Sequence, residues 1–273
     1  MASIVEQFYD LHAQREWERM DRHRTEFAVT LRALEERLPQ PPAAILDVGG
    51  GPGRYAITLA QRGYFVTLVD LSSRCLAFAQ DKAKAAGVEL AGCVHADARD
   101  LSTFAQGCFD AALLLGPLYH LLELDDRRKA ALEARRVLRA GGLVYASIIT
   151  RYAAVRWAAK HEPSYIFEDR EGLDRILTSG VSLAKPYGGF TDTYFAHPTE
   201  LQPLMEECGF TTLDLLACEG VISMIEEQVN TLSGELWQAW VALNYRLGRD
   251  PCVHGAAEHI LYVGRKQPDG RSA

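Results

Sequence analysis

Two hydrophobic periods alternate along the chain. Short apolar runs of strand length cover residues 44–48, 65–70, 90–96, 109–115, 143–150, 211–217 and 257–266. Between them, apolar residues recur at three- and four-residue spacing, which predicts helices over 55–61, 73–86, 125–138, 199–208 and 222–247. Ser72 or Ser73 stands where the 73–86 helix needs an N-cap, and Gly87 supplies its stop. Residues 3–38 show the same helical spacing in Ile4, Phe8 and Leu11, and again in Phe27, Leu31, Leu34 and Leu38. Pro39-Gln40-Pro41-Pro42 ends that stretch. Strands alternating with helices at these intervals fold as a doubly wound, mostly parallel α/β sheet.

Residues 151–198 leave the alternation. They hold Trp157, Tyr165, Phe167, Tyr187, Phe190, Tyr194 and Phe195, with Gly188-Gly189 and two histidines. The segment is too long and too aromatic for an ordinary connection. Inserted after the fifth strand, it reads as a substrate cap over the strand ends, with a dimer surface or plain packing as the competing readings.

Composition narrows the class. With 48% hydrophobic and 24% charged residues among 273, the chain is expected to build a folded core rather than stay disordered. A formal charge of -7 argues against a broad nucleic-acid surface. The segment 151–198 carries six basic and six acidic residues, so it has no cationic bias either. Six cysteines lie apart, with no C-x-x-C pair, which suggests neither a disulfide framework nor a zinc site. The N-terminus has early acids and no apolar core of a signal peptide, and no apolar run reaches membrane-span length. A cytoplasmic, reducing setting and no membrane partner are therefore expected.

The chemistry centres on Asp47-Val48-Gly49-Gly50-Gly51-Pro52-Gly53, between the first strand and the following helix. Gly49, Gly51 and Gly53 make G-x-G-x-G, and Arg54 occupies the position that a dinucleotide fingerprint gives to its third glycine. Asp47 would repel a pyrophosphate but suits an ammonium group. A second acid, Asp70, closes the next apolar run, where an adenosine would present its ribose. A ligand with an amino-acid end and an adenosine end satisfies both carboxylates.

This arrangement resembles the S-adenosylmethionine (SAM) site of the class I methyltransferases. Phe109-Asp110-Ala111-Ala112-Leu113-Leu114-Leu115 and Arg136-Val137-Leu138-Arg139-Ala140-Gly141-Gly142-Leu143-Val144 are similar to the later motifs of that family, and the resemblance covers residues 44–150. It implies a Rossmann-like, seven-stranded sheet whose last strand runs antiparallel. It also implies SAM as cofactor, with S-adenosylhomocysteine as product. The chain then divides into an N-terminal helical lid (1–42, bearing Tyr9, with packing on the sheet's flank as the equal competing reading), a SAM-binding core (43–150), the inserted cap (151–198), the rest of the core with a helical insertion (199–266) and a loose tail (267–273).

Carried onto matching positions, the resemblance places Gly49, Gly50 and Gly51 against the methionine portion, with Asp47 facing its ammonium. Asp70, beside Leu71, accepts from the ribose hydroxyls. Asp97 and the Ala98 amide meet the adenine edge, with Asp100 a competitor for Asp97, and Leu115 lies by the sulfonium. Arg22 or Arg24 would reach the cofactor carboxylate from the lid.

Methyl transfer needs alignment, and a base only where the acceptor must lose a proton. Tyr119 and His120 are the catalytic candidates, His120 as general base; His161 and His197 in the cap are weaker ones. Gly116-Pro117-Leu118-Tyr119 stands where nucleic-acid amino-methyltransferases carry Asn/Asp/Ser-Pro-Pro-aromatic, and Gly116 lacks the side-chain acceptor for an exocyclic amine. No metal-ligand spacing is present, so no metal is expected. The leading expectation is a methyltransferase for a small-molecule acceptor, as monomer or homodimer. The alternatives are a tRNA wobble-uridine carboxylate methyltransferase, whose first motif is also similar, and a non-catalytic SAM-binding protein.

Overall fold

The computed structural model describes residues 2–185 and 190–268; Tyr187, Gly188 and Gly189 of the aromatic segment, and residues 269–273 of the tail, lie outside them. Two helices lead the chain, α1 (Ile4–Arg22) and α2 (Arg24–Arg37). A Ser3–Glu6 capping box starts α1, and a kink at His12 divides it. The alternating core follows as β1 (Ala44–Val48), α3 (Arg54–Gln61), β2 (Phe65–Asp70), α4 (Ser73–Ala85), β3 (Gly92–His95), β4 (Phe109–Leu114), α5 (Leu124–Val137) and β5 (Leu138–Ile149). Next come α6 (Ala153–His161), α7 (Tyr165–Glu168), α8 (Arg170–Ser179) and a small antiparallel hairpin, β6 (Val181–Ser182) with β7 (Thr193–Tyr194). The core closes with α9 (Leu201–Glu207), β8 (Phe210–Ala217), α10 (Glu226–Asn230), α11 (Gly234–Leu247), α12 (Pro251–His254) and β9 (His259–Lys266).

The main sheet has seven strands in the order β3-β2-β1-β4-β5-β9-β8. Adjacent strands from β3 to β5 pair in parallel, and β9 runs antiparallel to both β5 and β8, as the family resemblance implies. Because strand residues alternate faces, Ile45 and Leu113 join one core layer with α2, α3, α4 and α11, while Leu46 and Leu114 join the other with α5 and α9. Each such fully buried side chain contributes about 1.5–3 kcal/mol of apolar burial. No helix among the described residues is long and apolar enough to cross a membrane.

Two predicted boundaries move. The expected turn at 139–142 is absorbed into a long β5, which pairs Leu138 with Phe109 across an irregularity before regular pairing resumes at Ala111–Leu143. The predicted 222–247 helix breaks into a 3-10 turn (Gly220–Ile225), α10 and α11, the Thr231-Leu232-Ser233 link being poor in helix formers.

The order in which the chain visits the strands reverses between β1 and β4, so the loops after these strands diverge and open a crevice at their carboxyl ends. Of the two N-terminal helices, α1 crosses that crevice, while α2 buries Val29, Ala33 and Leu34 against the sheet rather than joining a lid. Asp10 of α1 accepts from Ser72 Oγ at 2.6 Å at the start of α4, where the free amides and helix dipole favour a carboxylate. Arg54 donates to Asp21 at 2.9 Å, and its guanidinium lies 4.7 Å from the centre of the Trp17 ring. The residue that breaks the dinucleotide pattern is thus an anchor for α1.

Candidate active site

A cavity of about 400 Å³ fills the crevice. Asp47, Gly49, Gly50, Gly51, Asp70, Leu71, Asp97, Ala98 and Leu115 all line it, and so do Tyr119 and His120 at the other end. The fold therefore gathers the cofactor and catalytic candidates from residues 47–120, Asp100 excepted, around one space. From α1, Tyr9, Glu16, Arg19 and Met20 complete the wall.

At the floor, Gly49, Gly51 and Gly53 adopt φ of 65°, 54° and 81°, a left-handed region that side chains rarely enter. This alternation curls the backbone tightly around the cavity. Asp47 is 1% exposed, and neither carboxylate oxygen has a well-formed hydrogen bond. Burial first, and then the Asp70 charge, push its pKa up to about 7 against a smaller pull from the Ala56 amide. Asp70 is braced by two amides, accepting from Gly51 at 2.7 Å and from Ser72 at 2.8 Å. Its burial raises the carboxyl pKa more than those bonds lower it.

Asp97 holds a more occupied position. It accepts from the Arg99 amide at 2.8 Å and from the Arg99 guanidinium at 2.6 Å, and Arg99 also reaches Asp126 at 2.7 Å. Burial opposes ionisation there, but the Arg99 bonds hold the carboxyl below its usual range. Its competitor Asp100 closes a turn onto the Ser102 amide and is not part of the lining.

The other end of the cavity begins at Leu115, whose carbonyl accepts from Ser147 Oγ at 2.8 Å. A Cβ on Gly116 would meet the Gly49 carbonyl at 2.8 Å, so the close approach of the two loops forbids a side chain there. The 3-10 turn Pro117–His120 then buries Tyr119, and burial raises its phenol pKa. His120 Nε2 lies 2.7 Å from the Tyr9 hydroxyl and Nδ1 3.1 Å from the Asp192 carbonyl.

Some expected contributors lie elsewhere. Arg24 donates to the Asn230 and Leu232 carbonyls and stacks on Trp237, and Arg22 turns back to the Arg15 carbonyl. Of the arginines in the N-terminal helices, the one that lines the cavity is Arg19, pinned by Glu26 at 2.7 and 3.0 Å. Helical spacing alone does not separate the three, because which face is inward depends on α2 and β9 packing behind them. His161 lies near Glu227 and Trp157, and His197 bonds Tyr152 and Thr199, away from the cavity. Trp157 and Phe167 of the cap are exposed, at 47% and 87%. The described part of the cap that meets the catalytic candidates is Phe190, its ring 5.5 Å from His120, and the Asp192 backbone.

Behind Arg19 sits a buried ladder that periodicity does not reveal. Glu26, Glu219 and His259 present ligand atoms within 4.8 Å of one another, a grouping compatible with a metal. Here Arg19 occupies Glu26, and His259 Nδ1 donates to Glu219 at 2.6 Å. Burial alone would lower the His259 pKa; Glu26 and Glu219 outweigh it and lift it to about 9. Two carboxylates thus face two cations, and the cluster is neutral without an ion.

Residues 45–142 match a family described as a methyltransferase domain. The chain is 27% identical over 193 residues to the putative methyltransferase YqeM of Bacillus subtilis, covering 65% of this chain and 76% of that one. It is 35% identical over 115 residues to the tRNA 5-carboxymethoxyuridine methyltransferase of Escherichia coli, covering 41% of this chain and 42% of that enzyme. Among solved structures, a SAM-dependent methyltransferase of Methanosarcina mazei superposes with a TM-score of 0.61 at 20% identity, covering 86% of this chain and 98% of that one.

Proposed function

We propose that this chain, a class I SAM-dependent methyltransferase by family and fold, methylates a small molecule enclosed in the crevice rather than tRNA. The charge of the lining carries this reading. Glu6, Glu16, Asp47, Asp70, Asp97, Glu123 and Asp126 face Arg19, Arg54 and Arg99. Such a surplus of carboxylates suits a cationic donor and repels both a phosphate backbone and a carboxylate acceptor. The match to the tRNA enzyme spans less than half of its length, so it leaves the acceptor open.

The residues present fit SAM. Asp47 offers two buried oxygens without well-formed bonds, which a donor ammonium would satisfy. Asp70 keeps lone pairs for the ribose hydroxyls while its amide bonds hold it still. Ala98 and Asp97 stand at the adenine end, and Leu115 near the sulfonium. When bound, SAM supplies an electrophilic methyl whose leaving group is a neutral thioether. The protein's part is to align the acceptor, keep water out and take up a proton where one is released. In this reading α1 acts as the lid while α2 packs on the flank of the sheet, and the Phe190–Asp192 stretch is the portion of the cap that meets the acceptor.

The test is methyl transfer from labelled SAM to a low-molecular-weight metabolite extract and, in parallel, to bulk tRNA at low salt. Label is expected in the small-molecule fraction, and label confined to tRNA would reverse the assignment.

A pH signature should accompany donor binding. An ammonium selects ionised Asp47, whose pKa of about 7 leaves it increasingly protonated below neutrality. Calorimetric SAM affinity is therefore expected to fall about fivefold from pH 7 to 6 and nearly tenfold, about 1.4 kcal/mol, from pH 6 to 5. Asp47→Asn should bind weakly with a flat profile, whereas a flat wild-type profile would remove the ammonium role.

A further inference from the structure

We propose that Tyr9 and His120 form a proton relay, and that the methyl acceptor is a neutral hydroxyl, an alcohol or a phenol. This rests on the small-molecule reading above.

The geometry sets the direction of the relay. The two residues come from elements 111 positions apart and meet in the cavity wall at 2.7 Å. The Asp192 carbonyl, 3.1 Å from Nδ1, has only lone pairs to offer, so Nδ1 carries the imidazole proton. Nε2 is then a bare acceptor, and the Tyr9 hydroxyl donates to it. The Tyr9 oxygen retains lone pairs on the cavity side for an incoming hydroxyl. Phe8, Tyr119 and Phe190 surround the pair, with Phe8–Phe190 and His120–Phe190 ring centres 5.5 Å apart and Tyr119–His120 at 4.8 Å. This aromatic collar shields the proton path from water.

The step balances without another reactant. The acceptor oxygen forms its bond to the methyl carbon as the carbon–sulfur bond breaks, with that electron pair remaining on sulfur. The acceptor's proton passes to the Tyr9 oxygen, and the Tyr9 proton passes to His120 Nε2. Sulfonium and neutral imidazole become thioether and imidazolium, so the positive charge is conserved.

The relay also selects the acceptor class. Burial lowers the His120 pKa to about 4, too weak a base to ionise a free hydroxyl or strip an alkylammonium beforehand. An oxygen gaining a methyl becomes a protonated ether, a far stronger acid than imidazolium, and its proton moves downhill as the bond forms. An aliphatic amine would enter as an ammonium, which the acidic lining keeps protonated and unreactive. A carboxylate has no proton to relay.

Labelled SAM and the metabolite extract provide the test. The labelled product is treated with mild alkali and passed over a cation exchanger. Label is expected in an alkali-stable product that the exchanger does not retain. Tyr9→Phe should lower kcat about 100-fold, the scale of general acid–base catalysis, with acceptor KM and calorimetric SAM affinity little changed. Nitrogen NMR of the wild-type imidazole should show His120 protonated at Nδ1, with the Nε2 resonance shifted in Tyr9→Phe. Methanol released by alkali, or a product held by the exchanger, would overturn the hydroxyl assignment. An unchanged kcat in Tyr9→Phe, or a His120 protonated at Nε2, would overturn the relay even if small molecules are methylated. Label found in tRNA alone, or in no fraction while SAM still binds, would instead sink the small-molecule reading and this proposal with it.

Discussion

Replacing Glu219 by alanine is expected to destabilise the chain by about 3–5 kcal/mol, the cost of removing one partner from a buried ion pair. Glu219 is fully buried and accepts three bonds, from the Glu258 amide at 3.1 Å, the His259 amide at 2.8 Å and His259 Nδ1 at 2.6 Å. Its loss leaves two amides without their acceptor and shifts the balance of the Arg19–Glu26–His259 cluster toward positive charge. A thermal melt should show the midpoint falling by roughly 10 °C for a domain of this size. A fall within a degree or two would mean that water or a rearranged side chain takes over the role.

The same cluster predicts a pH window. His259 has a folded-state pKa of about 9 against an ordinary 6.5, so its contribution is complete below about pH 6.5 and lost as pH rises through 9. Burial opposes ionisation of Glu26, yet Arg19, then His259, bring its pKa down to about 2. That contribution is complete above about pH 4.5 and lost as pH falls through 2. Melts of the wild type should therefore weaken towards pH 10, and the alkaline loss should be much smaller in Glu219→Ala.

Asp70→Ala should weaken SAM binding by about 2–3 kcal/mol, roughly 100-fold in Kd, through lost charge-assisted bonds to the ribose hydroxyls. It also removes the acceptor that holds the Gly51 amide at 2.7 Å, loosening the glycine turn itself. Asp70→Asn, which keeps the shape and one carbonyl, should fall between wild type and alanine. Calorimetry that finds alanine as tight as wild type would show that the ribose is held elsewhere. Because Asp70 lies far from the Glu219 cluster in sequence and binds different partners, a melt separates this loss of affinity from a loss of fold.

The grouping of the proposed donor-binding residues was legible from residue order because its determinants are local. Asp47, the glycine turn and Asp70 belong to one strand–turn–helix–strand unit, and their side chains converge wherever that unit folds. The strand and helix periods likewise specify the alternating core, since each element must bury its own apolar face. The antiparallel β9 came through the family resemblance, not through periodicity, and the order β3-β2-β1-β4-β5-β9-β8 came only with the structure.

What surrounds Gly116, Tyr119 and His120 at the other end of the cavity was decided by the tertiary structure. Sequence shows a glycine at 116; only the fold shows the Gly49 carbonyl that bars any side chain there. Arg19 rather than Arg22 or Arg24 faces the cavity because Glu26, itself fixed against His259, selects it from across a helix boundary. Tyr9 and His120 are ordinary residues on their own helical turns until α1 crosses the strand ends and brings them within 2.7 Å. Local periods fix which elements form and which faces they bury. Contacts between side chains a hundred or more positions apart depend on how those elements are laid over one another, and no local pattern encodes that.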